Sequence, residues 1–430
     1  MKYIIKGGTI LDGTKEMQAQ TGKAIFVNGE TIERIADEPA KAPEGYEVID
    51  AAGLYVMPGL INMHVHLAGN GRPQKKQRDN EKLVRLLFSN PLTAAVARKM
   101  VEGYAKIELM SGVTTIRTVG GLRDLDGQLR DLIAAGKKDG PRILAANEGI
   151  SVPGGHMAGS VAIAATSIEE AIELVHKADG QKVDLIKLMI TGGVLDAKEK
   201  GTPGEMKMDP KMIKAICDEA HRLGYKTAAH VESTEGVIEA LKNGVDSIEH
   251  GAAPTEEMIR LFKEKHAFLT TTLSPALPYA LFPREVSNAS EVEQYNGNMV
   301  FEGIRDCAKA ALENDIPVAL GNDVGCPWIT QYDFWRELVY FKNFIGVSNA
   351  FALYSATLGN AQLAGIGGTT GSIEKGKCAD MIMTERNPLE DLTALRNVKT
   401  VMARGRLYKN PTVKRNPVVD EQLDQYLEAK

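Results

Sequence analysis

Between Val56 and Gly321, short apolar runs alternate with longer amphipathic stretches, and no other feature of the 430-residue chain limits its fold as much. Eight runs read as strands: Val56–Met63, Val113–Thr118, Arg142–Ala146, Asp184–Met189, Lys226–Ala229, Ser247–Glu249, Phe268–Thr272 and Val318–Gly321. Helices are expected between them, at Pro91–Met110, Ile168–Ala178, Pro210–Leu223, Glu235–Asn243, Glu256–Lys265 and Gly297–Asn314. Such alternation is the pattern of βα units around a parallel sheet. Eight strands with intervening helices is the count of a (β/α)8 TIM barrel, so the expected fold class is α/β.

The chain ends have a different texture. Tyr3-Ile4-Ile5, Thr9-Ile10-Leu11 before Asp12-Gly13, and Ala24-Ile25-Phe26-Val27 before Asn28-Gly29 read as antiparallel strands closed by turns. Similar runs return in Ala379–Met383 and Val398–Met402. The expectation is therefore a small β-sandwich domain built from both chain ends, residues 1–57 and 371–430, with a barrel over 58–370 inserted between them. A barrel of about 250–300 residues plus such a domain accounts for the length.

Composition excludes several partners. A net charge of −5 offers no electrostatic reason for nucleic acid or an anionic membrane. No run reaches the length of a membrane span, and the first residues break too early for a signal-peptide core, so a cytoplasmic location is expected. Cys217, Cys307, Cys326 and Cys378 lie far apart without Cys-x-x-Cys spacing, which leaves nitrogen and oxygen as the ligands of any metal.

Titratable residues recur where the expected strands end. His64 and His66 close the first strand and, two residues apart, project from the same face. Lys187 lies in the fourth, His230 ends the fifth, His250 the sixth and Asp323 the eighth. In a barrel these ends converge on one bowl. His176, His221 and His266 fall in or beside helical stretches and read as surface or structural residues. The long connections 67–92, with Arg72, Lys75, Lys76 and Arg78, and 273–297, with Pro275, Pro278, Tyr279 and Pro283, follow strands at this end. Loops placed there often serve as lids, although the basic run reads first as a solvated helix start.

Val56-Met57-Pro58-Gly59-Leu60-Ile61-Asn62-Met63-His64-Val65-His66, Lys187, His230, His250-Gly251, Asp323 and Gly371-Ser372-Ile373-Glu374-Lys375-Gly376-Lys377-Cys378-Ala379-Asp380 together resemble the amidohydrolase superfamily over nearly the whole chain. Lys187–Val194 and Gly154-Gly155-His156 look like its branch of Xaa-Pro dipeptidases, related carboxypeptidases and imidazolonepropionase-like proteins. The resemblance implies two divalent ions, usually Zn2+, with His64, His66 and Asp323 on one and His230 and His250 on the other. It also implies that Lys187 is carboxylated by CO2 and bridges them, since a free ammonium has no lone pair to give. Read this way, a metal-bridging hydroxide attacks a C–N amide bond, with Asp323, His250 and His156 as catalytic residues and Asp323 moving the proton. The substrate would be a small molecule, a dipeptide, N-acyl amino acid or cyclic amide, contacted by His156 and Glu232, and the protein a homo-oligomer.

Two departures bear on substrate. Prolidase-like relatives commonly carry a His-Ala-Tyr-like sequence where this chain has His230-Val231-Glu232, and the stretch after Asp323 lacks a His-Gly-like segment. Glu232 suits either a cationic group of the substrate or the orientation of a ligand imidazole. A deaminase of a small heterocycle is the alternative enzyme. Such enzymes usually keep one metal, against which Lys187 argues, and Glu232 lies too close to His230 for their proton shuttle. Non-catalytic relatives have typically lost ligands that this chain keeps.

Overall fold

The computed structural model describes residues 1–74 and 79–428, so Lys75, Lys76 and Arg78 of the basic run lie outside the described residues. The chain divides into two compact units, residues 1–62, 106–116 and 331–430, and residues 63–105 and 117–330.

The first unit holds two sheets. One has the order Thr31–Asp37, Lys23–Asn28, Lys2–Lys6, Glu47–Asp50, and the other Arg406–Lys409, Thr400–Ala403, Met381–Thr384, Tyr55–Pro58, Thr9–Leu11, Ala19–Gln20. The second sheet thus joins strands from both chain ends, Met381–Thr384 lying antiparallel to Tyr55–Pro58. Alternate residues of both sheets meet in one core: Tyr3, Ile5, Ile25 and Val27 pack with Ile10, Val56, Met381 and Met383. The Asn28-Gly29 signal forms the expected hairpin, with Asn28 opposite Thr31 and Gly29 at φ 61° supplying the left-handed backbone.

The second unit is built on a parallel seven-stranded sheet with the order Ala162–Ala164, Gly149–Ser151, Leu185–Met189, Lys226–Val231, Ser247–His250, Phe268–Thr271, Val318–Leu320. A three-stranded sheet of Arg142–Ala145, Val113–Thr118 and Leu60–Val65 completes the set, and the division between units falls inside its last two strands. Leu60–Val65 and Leu185–Met189 are buried at every position, which is why they are largely apolar. The helices begin where caps dictate. Ser167, Asp209, Ser233 and Thr255 accept from backbone N–H groups of the first turns that follow them, and Pro210 occupies a first-turn position where no N–H is needed.

Two expectations change. The run Val56–Met63 breaks at Gly59 into Tyr55–Pro58 and Leu60–Val65, which belong to different sheets. A Cβ at Gly59 would lie 2.2 Å from Thr114 Oγ1, so only glycine lets the chain pass there. Residues 273–297 are not an open loop: Leu273–Leu281 and Arg284–Ser287 are helical, and the next helix runs Glu291–Glu313. It starts six residues before the expected Gly297 because Ser290 and Glu293 form a capping box.

Register positions the strand ends. Met189 pairs with His230 and Val231 with His250. The N–H of Asp323 donates to His64 O, and that of His66 to Val324 O, both at 3.0 Å. This approach requires Gly321, whose Cβ would sit 2.4 Å from His64 Cβ and 2.6 Å from its backbone N. Gly321→Ala is therefore expected to lower stability by about 1–3 kcal/mol. Urea unfolding checks it, and an unchanged midpoint would show that the strand yields freely.

Candidate metal centre

All eight residues singled out from the sequence line one cavity: His64, His66, His156, Lys187, His230, Glu232, His250 and Asp323. Met157, Met189, Val194, Pro275, Tyr279 and Ile304 form its apolar wall, so the helix Leu273–Leu281 contributes to it. His64, His250 and Asp323 offer ligand atoms within 4.8 Å of one another, as do His230, Glu232 and His250. His250 and Asp323 hold φ of 70° and 54°, uncommon for residues with side chains and often found at functional sites.

For three of the four rings the hydrogen-bond partner fixes which nitrogen donates. Gly120 O can only accept, so His66 Nδ1, 2.8 Å away, donates to it, and Nε2 lies 3.2 Å from Asp323 Oδ1. His64 Nδ1 likewise donates to Glu249 Oε2 at 2.8 Å, leaving Nε2 3.4 Å from Asp323 Oδ1. His230 is turned the other way: Nε2 donates to Gly192 O at 3.2 Å and Nδ1 is free. His250 Nδ1 lies 2.7 Å from Thr272 Oγ1. The rings crowd together, with centroids of His64 and His250 4.9 Å apart and of His230 and His250 4.7 Å.

Burial favours the neutral form of three of these imidazoles, the protonation state a metal ligand needs. It lowers the pKa of His64 to about 4 and those of His230 and His250 well below the usual imidazole value. Burial opposes ionisation of Asp323, and the imidazoles it faces at 3.2 and 3.4 Å favour it whenever one of them carries a proton. Lys187 is 1% exposed, its pKa is brought down by burial to about 8, and its Nζ has no hydrogen-bond partner among the described residues. A buried ammonium in that state is costly. The imidazoles, the Asp323 carboxylate and the buried Lys187 amine together make a donor set that fits divalent metal.

His156 stacks on His230, with centroids 3.9 Å apart and planes 5° from parallel, and its Nδ1 lies 2.5 Å from Asp196 Oδ2. Glu232 Oε2 accepts from the Val194 N–H at 3.1 Å. Burial, then Asp323 and Asp196, raise its pKa well above the ordinary carboxylate value. His176 and His221 pair with Glu219 and Asp246, and His266 caps a helix, as their positions outside the strand ends suggest.

Sequence reasoning missed the residues behind the rings. Arg117 Nη2 donates to both oxygens of Glu249, at 2.7 and 2.8 Å, and Arg117 Nε to Met63 O at 2.7 Å. The available signal was a charged residue inside each of two short strands, since a buried charge demands a partner.

The amidohydrolase family profile matches residues 55–408, and the chain belongs to that family. It is similar over 99% of its length to a candidate prolidase from Bifidobacterium longum, with 34% identity, 98% of that chain covered and a TM-score of 0.87. It also resembles a Xaa-Pro dipeptidase solved with methionine in its active site, at 29% identity and TM-score 0.82, covering 95% of this chain and 100% of that one. Ochratoxinase of Aspergillus niger is 25% identical over 400 residues, 83% of this chain and 76% of its own. The protein is a hydrolase acting on carbon–nitrogen bonds. Among the described residues no helix is long and apolar enough to cross a membrane.

Proposed function

We propose that the protein is a metal-dependent amidase of dipeptides, N-acyl amino acids or cyclic amides, working in a closed (β/α)8 barrel over residues 58–370. Residues 1–57 and 371–430 form its β-sandwich in this reading. The observation that carries it is the meeting in one cavity of four imidazoles, an aspartate and a buried lysine amine that has no hydrogen-bond partner among the described residues. The bond between Asp323 N–H and His64 O, with the parallel bridge of Val65 and Val324, supports closure. The prolidase, dipeptidase and ochratoxinase relatives support the bond class.

His64, His66 and Asp323 would hold one divalent ion, His230 and His250 the other, and carboxylated Lys187 would join them. Two such ions, most often Zn2+, supply Lewis acidity for the amide carbonyl and for acidifying water. Asp323, ionised and facing His64 and His66, takes the proton of the attacking water and returns it to the departing nitrogen. His250, between the two ligand groups, keeps the reacting centre in register with Asp323. With Nδ1 engaged by Asp196, His156 has Nε2 left for the substrate oxygen, and Glu232 meets a cationic or hydrogen-bonding part of the substrate.

Metal analysis followed by a screen of those three amide classes tests the reading. Two ions per chain and chelator-sensitive cleavage of at least one class are expected. Release of ammonia from heterocycles without amide cleavage would replace it with the deaminase.

A further inference from the structure

The outer nitrogens of the candidate ligand rings are held by unequal groups. His230 has a backbone carbonyl at 3.2 Å and His250 a threonine hydroxyl. His66 also has a backbone carbonyl. His64 alone among the four donates to a carboxylate, Glu249, which is 0% exposed. That carboxylate accepts two bonds from Arg117 Nη2 and one from Ser247 Oγ, while Arg117 also donates to Thr270 Oγ1 and to the carbonyl of Met63, the residue before His64. A buried ion pair of this kind is seldom worth more to stability than apolar residues of the same volume. Its presence behind one ring calls for another reason.

An anionic acceptor on Nδ1–H pushes electron density to the opposite nitrogen and fixes the ring's direction, so the ring binds a cation more strongly. A carbonyl or hydroxyl does so less, because charged hydrogen bonds are about twice as strong as neutral ones. Arg117 keeps Glu249 ionised and still, and its grip on Met63 O sets the strand from which His64 projects. We propose that Arg117 and Glu249 are positioning residues that strengthen His64 as a ligand, so that the ion on the His64, His66 and Asp323 side binds first and more tightly than the ion on the His230 and His250 side. This rests on the metal assignment proposed above.

Stepwise affinities of the metal-free protein for Zn2+, measured by chelator competition, test it, with Co2+ absorption as a second readout. Wild type is expected to show two constants at least about tenfold apart. Glu249→Gln, which keeps the shape, should weaken the tighter constant roughly 10–100-fold, shift the Co2+ bands of the first equivalent, and leave the weaker constant nearly unchanged. Thr272→Val should instead affect the weaker constant. If Glu249→Gln does not fold by circular dichroism, Arg117→Lys, which keeps the charge without the paired donors, should give a smaller loss of the same constant. Equal wild-type constants, or a tighter constant untouched in the folded variants, would overturn the proposal while leaving two bound ions and the proposed chemistry standing. Failure to bind two ions at all would instead count against the metal assignment itself.

Discussion

Asp323→Asn is expected to lower kcat by roughly 10²–10⁴-fold, the usual worth of a positioned acid–base group, with metal content largely retained. Asparagine is the right probe for a structural reason. Asp323 has φ 54°, a left-handed conformation that asparagine adopts more readily than most residues, so the backbone bond from residue 323 to His64 O survives the change. The amide oxygen still faces His64 and His66, but it cannot accept and return a proton. Steady-state kinetics beside metal analysis separate the two contributions. Undiminished turnover would remove Asp323 from proton transfer.

Lys187→Ala is expected to reduce bound metal below two ions per chain and to lower activity by about 10³-fold or more. The magnitude follows from losing several kcal/mol of charge stabilisation at about 1.4 kcal/mol per tenfold. The fold should persist, because Lys187 Nζ makes no hydrogen bond among the described residues and its removal deletes a buried amine without orphaning a partner. Short carboxylic acids such as acetate or propionate should restore part of both metal content and turnover, their two oxygens standing where a carbamate would. Full metal occupancy in the variant, with no effect of added acid, would count against the bridge. The two variants are distinct in outcome: one keeps metal and loses proton transfer, the other loses metal first.

Local rules made much of the second unit legible. The helices Pro91–Met110 and Glu256–Lys265 stand where their amphipathic pattern puts them, and the capped starts of the others fall within a residue or so of expectation. The exception, Glu291–Glu313, carried its own signal in Ser290 and Glu293, hidden behind the prolines of the preceding segment. The break at Gly59 carried a signal in the Pro58-Gly59 pair, but the contact that demands glycine there, with Thr114 of another strand, carried none.

The ligand-type side chains other than Lys187, which lies mid-strand, were readable because they fall at or just beyond strand ends, and strand ends in a parallel sheet share one side. What those side chains do to one another was not. His64 and Glu249 are 185 residues apart, and Arg117 and Glu249 132, distances over which no periodicity carries information. Sequence by itself determined the α/β alternation and singled out His64, His66, Lys187, His230, His250 and Asp323 as candidate donors. Only the tertiary structure decided which partner each ring nitrogen meets, that His156 lies flat on His230, and that a buried arginine and glutamate stand behind His64. The reason is physical: burial and strand pattern are properties of neighbours in the chain, whereas tautomer, charge state and ligand strength are set by whichever groups folding brings within 3 Å.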